Sequence, residues 1–143
     1  MKKFICCKEA NIPQEIPNDT YYFALYPSHS SCRDGVGYIN IGFLKSIKRL
    51  GIFPQIKEFD FVTIALSVAA IDNAMSRQKS VDGWTRNIHA TIALCDPIPW
   101  NLQRDSLQKA FHFLTGDYWC FDFAEGGWAP LERSNDFPTS LLD

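Results

Sequence analysis

Short runs of β-branched and aromatic residues alternate along this chain with segments of helical spacing. Lys2–Lys8 and Thr20–Tyr26 read as a strand pair, separated by a turn segment holding Pro13, Pro17, Asn18 and Asp19. After Asp34-Gly35, the positions Val36, Tyr38 and Ile41 suggest a further strand or irregular segment. Phe43, Leu44, Ile47 and Leu50 recur at helical spacing, with Gly51 as a stop and Pro54 beyond it, which predicts a short helix. A longer helix is expected over Phe61–Arg77, with Asp60 as its N-cap. Its apolar residues lie nearly all round, the mark of a buried helix rather than an amphipathic one.

Trp84–Asp96 reads as a strand with Ile88, Ala90, Ile92 and Leu94 on one face and Thr85, Asn87, His89 and Thr91 on the other, ended by Pro97 and Pro99. A second helix is expected over Leu107–Leu114, closed by Gly116 in the left-handed conformation that glycine adopts without strain. The alternation resumes at Tyr118–Phe123, where Trp119, Phe121 and Phe123 share a face. The run after Gly126-Gly127 has no period. These elements predict an α+β fold, a small and mostly antiparallel sheet packed against the long buried helix and the second, shorter one. The domain is expected over residues 1–125, with 126–143 as a tail or interdomain linker.

Composition supports a packed core. Of the 143 residues 46% are hydrophobic and 14% aromatic, far from the regime of disorder and enough to bury roughly two-thirds of the unfolded surface. Fourteen basic residues against sixteen acidic ones give a net charge of −2, and only Lys45, Lys48 and Arg49 cluster, so nucleic acid is an unexpected partner. The apolar stretch Phe59–Ala74 is broken by polar residues and falls short of the ~20 residues that span a bilayer. Met1–Glu9 lacks the apolar core of a secretory signal. No membrane partner and a cytoplasmic location are therefore expected.

The five cysteines, Cys6, Cys7, Cys32, Cys95 and Cys120, include no CxxC pair and read as reduced core thiols. His29 and Cys32 are spaced as H-x-x-C, but adjacent Cys6 and Cys7 point to opposite strand faces, so four zinc ligands do not assemble and no metal is expected. His89 and His112 fall on a mixed strand face and inside a helix, with no nucleophile at local spacing. Glu58 with Asp60 and Asp117 with Asp122 are close carboxylate pairs that structural roles explain. There is no glycine-rich phosphate loop: Gly35-Val36-Gly37 has no Lys-Ser/Thr behind it.

Two readings of Arg86 stand side by side. It pairs with Asp72 and fixes how the long helix meets the strand, or it clamps a phosphate or carboxylate with its planar guanidinium. Asp117, Asp72 and Trp84 complete this candidate ligand-binding set. Gly116-Asp117 sits at a helix C-terminus, the wrong end of the dipole for an anion. Trp119, Phe121, Phe123 and Trp128 are candidates for a base-stacking platform, but without basic residues beside them they fit a core or an interface better. Trp128, Leu131 and Phe137 are large apolar residues without period, and form a candidate interface.

Two segments, Asp82-Gly83-Trp84-Thr85-Arg86-Asn87-Ile88 and Phe113-Leu114-Thr115-Gly116-Asp117-Tyr118-Trp119-Cys120-Phe121-Asp122-Phe123, resemble the leading domain of QueC-like proteins of anti-phage defence operons, relatives of 7-cyano-7-deazaguanine synthase. The resemblance runs from about Asp60 to Phe123 and includes Asp72 and Trp100. In that family an ATP-pyrophosphatase domain follows, opened by a Ser-Gly-Gly-x-Asp-Ser loop. It activates a carboxylate by adenylation and forms a deazapurine nitrile or amide; in the defence branch the product is joined to a protein partner. The loop is missing from this sequence, so none of the family's catalytic residues carries over. The resemblance implies an accessory or recognition domain with no cofactor of its own, ATP belonging to a catalytic domain elsewhere, and a chain that is a fragment or a split-gene product. Its implied partner is the catalytic QueC-like domain or a defence-system protein. Two other functions remain open: a free-standing enzyme using Arg86, Asp72 and Asp117 around a small anion, and a nucleotide or nucleic-acid sensor using the aromatic strand.

Overall fold

The computed structural model describes residues 2–29, 33–75 and 85–132. Its strands are β1 (Lys2–Cys7), β2 (Thr20–Leu25), β3 (Val36–Ile39), β4 (Asn87–Ala93) and β5 (Tyr118–Ala124). Its helices are α1 (Phe43–Arg49), α2 (Ile56–Ala74), α3 (Ile98–Leu102) and α4 (Arg104–Thr115), with one 3-10 turn at Glu9–Asn11. The strands form a five-stranded sheet in the order β3-β2-β1-β4-β5, and every neighbouring pair is parallel. The fold is therefore α/β, and the expectation of a mostly antiparallel sheet is overturned.

Two features account for the difference. Residues 8–19, between β1 and β2, supply about the dozen residues that a parallel return requires, so these strands pair side by side in the same direction rather than as a hairpin. The second is burial. Parallel strands covered on both faces read as continuous apolar runs, whereas β4 and β5 alternate because only one of their faces is covered. On that face the register aligns Phe4, Ala90 and Phe121, then Cys6, Ile92 and Phe123, all buried. The other face carries Cys120, which is exposed, and His89, Thr91 and Asp122, which are half-buried.

The helices pack on the apolar face and on the rim of the sheet. Phe59 of α2 meets Tyr26 edge-on with ring centroids 5.6 Å apart, and Phe43 of α1 joins both. The Tyr26 hydroxyl lies 2.7 Å from Thr63 Oγ1, and Thr63 donates back to the Phe59 carbonyl. Trp119, Phe121 and Phe123 stack along β5 at 5.6 and 5.5 Å, and Phe111 of α4 packs on the first two. All three are buried in the core, which leaves no open platform for a base. Gly37 of β3 is required by the same face, since a Cβ there would stand 2.5 Å from the Phe23 ring.

Two further expectations shift. The long helix starts at Ile56, not after Asp60, because the Phe59 amide already donates to the Gln55 carbonyl at 2.9 Å and closes the first turn behind Pro54. Asp60 is instead fully buried, and its two carboxylate oxygens accept the Cys95 and Asp96 amides at 2.9 Å each. It thereby ties α2 to the turn that leaves β4. The expected tail also begins inside the domain: the Gly127 amide donates to the Leu94 carbonyl at 3.1 Å, and Trp128 Nε1 donates to the Leu25 carbonyl at 2.7 Å.

Candidate functional site

Arg86 and Asp117 each stand one residue ahead of a strand, β4 and β5 respectively, so the parallel register places them side by side. Gly116, at φ 78°, ends α4 in the left-handed region and turns the chain sharply enough to set Asp117 at that point. Asp117 is fully buried and Arg86 nearly so. Asp117 Oδ1 accepts the Arg86 backbone amide at 3.0 Å, and Oδ2 accepts the guanidinium Nη2 at 2.6 Å. The Tyr118 amide donates to the Arg86 carbonyl at 2.9 Å, which starts the β4–β5 ladder.

The end of α2 takes Nη1 and shares Nη2, while Nε is buried with no hydrogen-bond partner among the described residues. Nη2 also donates to the Asp72 carboxylate, and Nη1 reaches the Asp72 and Met75 carbonyls at 3.3 Å each. These carbonyls belong to the last turn of α2, where helical partners run out. Arg86 thus caps α2 while it joins β4 to β5. The Asp117 carboxylate, first, and Asp72 after it hold the guanidinium charge more firmly than usual, against the desolvation that burial imposes.

A second layer fixes Asp117. Its amide donates to Thr115 Oγ1 at 3.1 Å, Thr115 Oγ1 also accepts Trp119 Nε1 at 2.9 Å, and the hydroxyl donates to the Phe111 carbonyl at 2.7 Å. The Asp117 carbonyl bonds His112 Nδ1 at 3.0 Å. Thr115, Gly116, Asp117 and Trp119 therefore act as one joint between α4 and β5.

Three of the four candidate ligand-binding residues, Arg86, Asp72 and Asp117, are brought together, and they bind one another. Trp84 lies outside the described residues, as does Phe137 of the candidate interface. Trp128 is half-buried on the domain, with Lys8 Nζ 4.5 Å from its ring centre, while Leu131 is 38% exposed.

The joint also lies at the N-terminal ends of the strands. In open parallel sheets ligands bind at the carboxyl ends, at the point where strand order reverses, here between β1 and β4. Among the described residues, the segment after β5 crosses there, against the ends of β4 and β2. Gly127 lies so close over the Ala93–Leu94 peptide that a Cβ would collide with the Ala93 carbonyl, and Trp128 continues across to Leu25.

The sequence reading missed one polar pair. On the open face of β4 and β5, His89 Nε2 lies 2.6 Å from Asp122 Oδ2, with Arg104 3.7 Å from the other carboxylate oxygen. Only the pairing register brings the strands into contact at these positions, so no local spacing would have shown it. Among the described residues no group of three or more His, Cys, Asp or Glu is placed to hold a metal ion, and no helix is long and apolar enough to cross a membrane. No family model, curated protein or solved structure matches the chain.

Proposed function

We propose that this chain is a non-catalytic accessory domain that works in the cytoplasm beside a QueC-like, ATP-dependent deazapurine-forming enzyme of anti-phage defence, docking a partner or shaping the substrate cleft. The observation that carries the reading is the closure of the Arg86 site. Both terminal nitrogens of the guanidinium that a free-standing anion enzyme would use are committed to Asp117, Asp72 and the Asp72 and Met75 carbonyls at the end of α2. The segment that crosses the carboxyl ends of β4 and β2 supports the same reading, since an α/β enzyme of this topology would open its cleft there. So does the uncovered side of β4 and β5, because parallel sheets are ordinarily covered on both faces. Partner docking accounts for all three features, and ATP belongs to the partner.

The test is co-purification of the chain with a QueC-like catalytic protein, together with an assay of the isolated chain for pyrophosphate release from ATP. Stoichiometric association and no pyrophosphate release from the chain alone are expected. Pyrophosphate release by the chain alone overturns the proposal, as does saturable binding of pyrophosphate that shifts the Arg86 guanidinium resonances.

A further inference from the structure

The helix layer stops short of one corner of the sheet. α2 ends at Ala74, and a cleft of about 460 Å³ opens between Met75 and the first residues of β1, β2 and β3, within the ~300–1,000 Å³ range of small-molecule sites. Its wall is a row of aromatic rings. Tyr21 stacks on Phe4 with centroids 5.2 Å apart and planes 24° apart, and Phe23 lies 6.3 Å from Phe4 at 32°. Phe4 is buried, whereas Tyr21 is 43% exposed. Gly37 forms the floor beneath Phe23, whose ring occupies the space a Cβ would need. A further flat ring entering the cleft extends this row by offset stacking.

The charge at the cleft selects what else that ring carries. Lys2 is the one charged side chain among the residues that line it, and its ammonium stands 5.6 Å from the centre of the Tyr21 ring. Among the described residues that ammonium has no carboxylate partner. Lys2 and Phe4 are two residues apart on β1, so both project from the same strand face, and a ring stacked on the row brings its substituent toward the ammonium. The end of α2 would oppose an anion here, but the Asp72 and Met75 carbonyls at that end already accept from Arg86. We infer that this cleft binds a small aromatic carboxylate, its ring against Tyr21 and Phe4 and its carboxylate on Lys2. The site is separate from the Arg86 joint, with which it shares only Met75.

Titration of the full chain with naphthoate, a flat two-ring carboxylate, and with its neutral counterpart naphthamide tests this, read by the amide resonances of the protein. Saturable binding of naphthoate is expected, with a Kd of about a millimolar or tighter and the largest shifts at Phe4, Tyr21 and Gly37. Naphthamide should bind about tenfold more weakly, a comparison that needs no variant. Lys2→Met should remove that difference by weakening naphthoate alone, and Lys2→Arg should keep naphthoate within about threefold. Tyr21→Ala should weaken both compounds about fivefold. A thermal melt of each variant checks that it still folds. The inference is overturned if naphthoate does not saturate, if naphthamide binds equally well, if Lys2→Met leaves naphthoate binding unchanged, or if the shifts gather elsewhere, such as around exposed Leu102 and Phe113.

Discussion

The Arg86 guanidinium and the Asp117 carboxylate meet at 2.6 Å one residue before neighbouring parallel strands, so a single ion pair sets the start of both β4 and β5. Removing one member of a buried pair leaves the other charged in a medium that cannot solvate it, at about 3–5 kcal/mol. Asp117→Asn is therefore expected to lower unfolding free energy by about that much. Asp72 holds the same guanidinium, but its side chain is 43% exposed, so water can replace it and Asp72→Asn should cost about 1 kcal/mol or less. Urea unfolding of the two variants checks the ranking; an Asp72 effect equal to or larger than that of Asp117 contradicts it.

The segment over the carboxyl ends of the strands offers a second test. At Gly127 a side chain would meet the Ala93–Leu94 backbone, which cannot swing aside as a flexible side chain could. Gly127→Ala should destabilise by about 1–3 kcal/mol through overpacking. It should also red-shift Trp128 fluorescence as the indole leaves the Leu25 carbonyl. An unchanged melting temperature and spectrum would mean that this segment lies on the domain without being held there.

How legible all this was in the sequence follows from the range of each interaction. The faces of β4 and β5 were readable, because alternation of apolar and polar residues is local and the buried set Ile88, Ala90, Ile92, Trp119, Phe121 and Phe123 follows it. Gly116 was readable as a helix stop for the same reason. Arg86 and Asp72 were readable as neighbours because both fall where the long helix meets the following strand, whereas the Arg86–Asp117 pair depends on the β4–β5 register and left no local signal. Strand direction was not readable, since the alternation of a half-covered parallel strand looks the same as that of an antiparallel one. Asp60 also misled: an acidic residue before an apolar helical run reads as an N-cap, and its true partners, Cys95 and Asp96, lie more than thirty residues away. The Asn101 and Gln108 contacts to β5 are long-range in the same sense.

Those contacts protect the edge of the sheet. β5 is an outer strand, and on its free side Asn101 accepts the Phe123 amide at 3.2 Å and donates to the Phe123 carbonyl at 2.9 Å, while Gln108 accepts the Phe121 amide at 3.0 Å. The side-chain amides stand in for a sixth strand. Asn101→Ala should cost on the order of 1–3 kcal/mol by leaving two backbone groups unpaired. It should also promote aggregation on heating, because an open strand edge is a template for pairing. Light scattering during thermal unfolding is the measurement; scattering no greater than that of the unaltered chain removes the protective role.

Alkaline pH should unfold the domain through groups the core cannot ionise. Burial pushes the Cys6 thiol up from its ordinary 9.0 to about 12, and pushes the Tyr26 hydroxyl up from 10.0 to about 12. Both groups keep their protons when folded and release them when unfolded, so as pH rises the unfolded state binds fewer protons and falls in free energy relative to the fold. The stability they contribute is complete below pH 9 and is lost progressively between about pH 9 and 12, a loss of a few kcal/mol when both titrate. Thiol chemistry separates this from general alkaline damage. Iodoacetamide at pH 8.5 should label exposed Cys120 quickly and spare Cys6 until the chain unfolds. Cys6→Ala should flatten the first part of the pH–stability curve even though the lost thiol lowers its plateau. Labelling of Cys6 in the folded chain at a rate near that of Cys120, or a Cys6→Ala curve with the original slope, would show that the core under β1 is open to water and that this account of its alkaline limit is wrong.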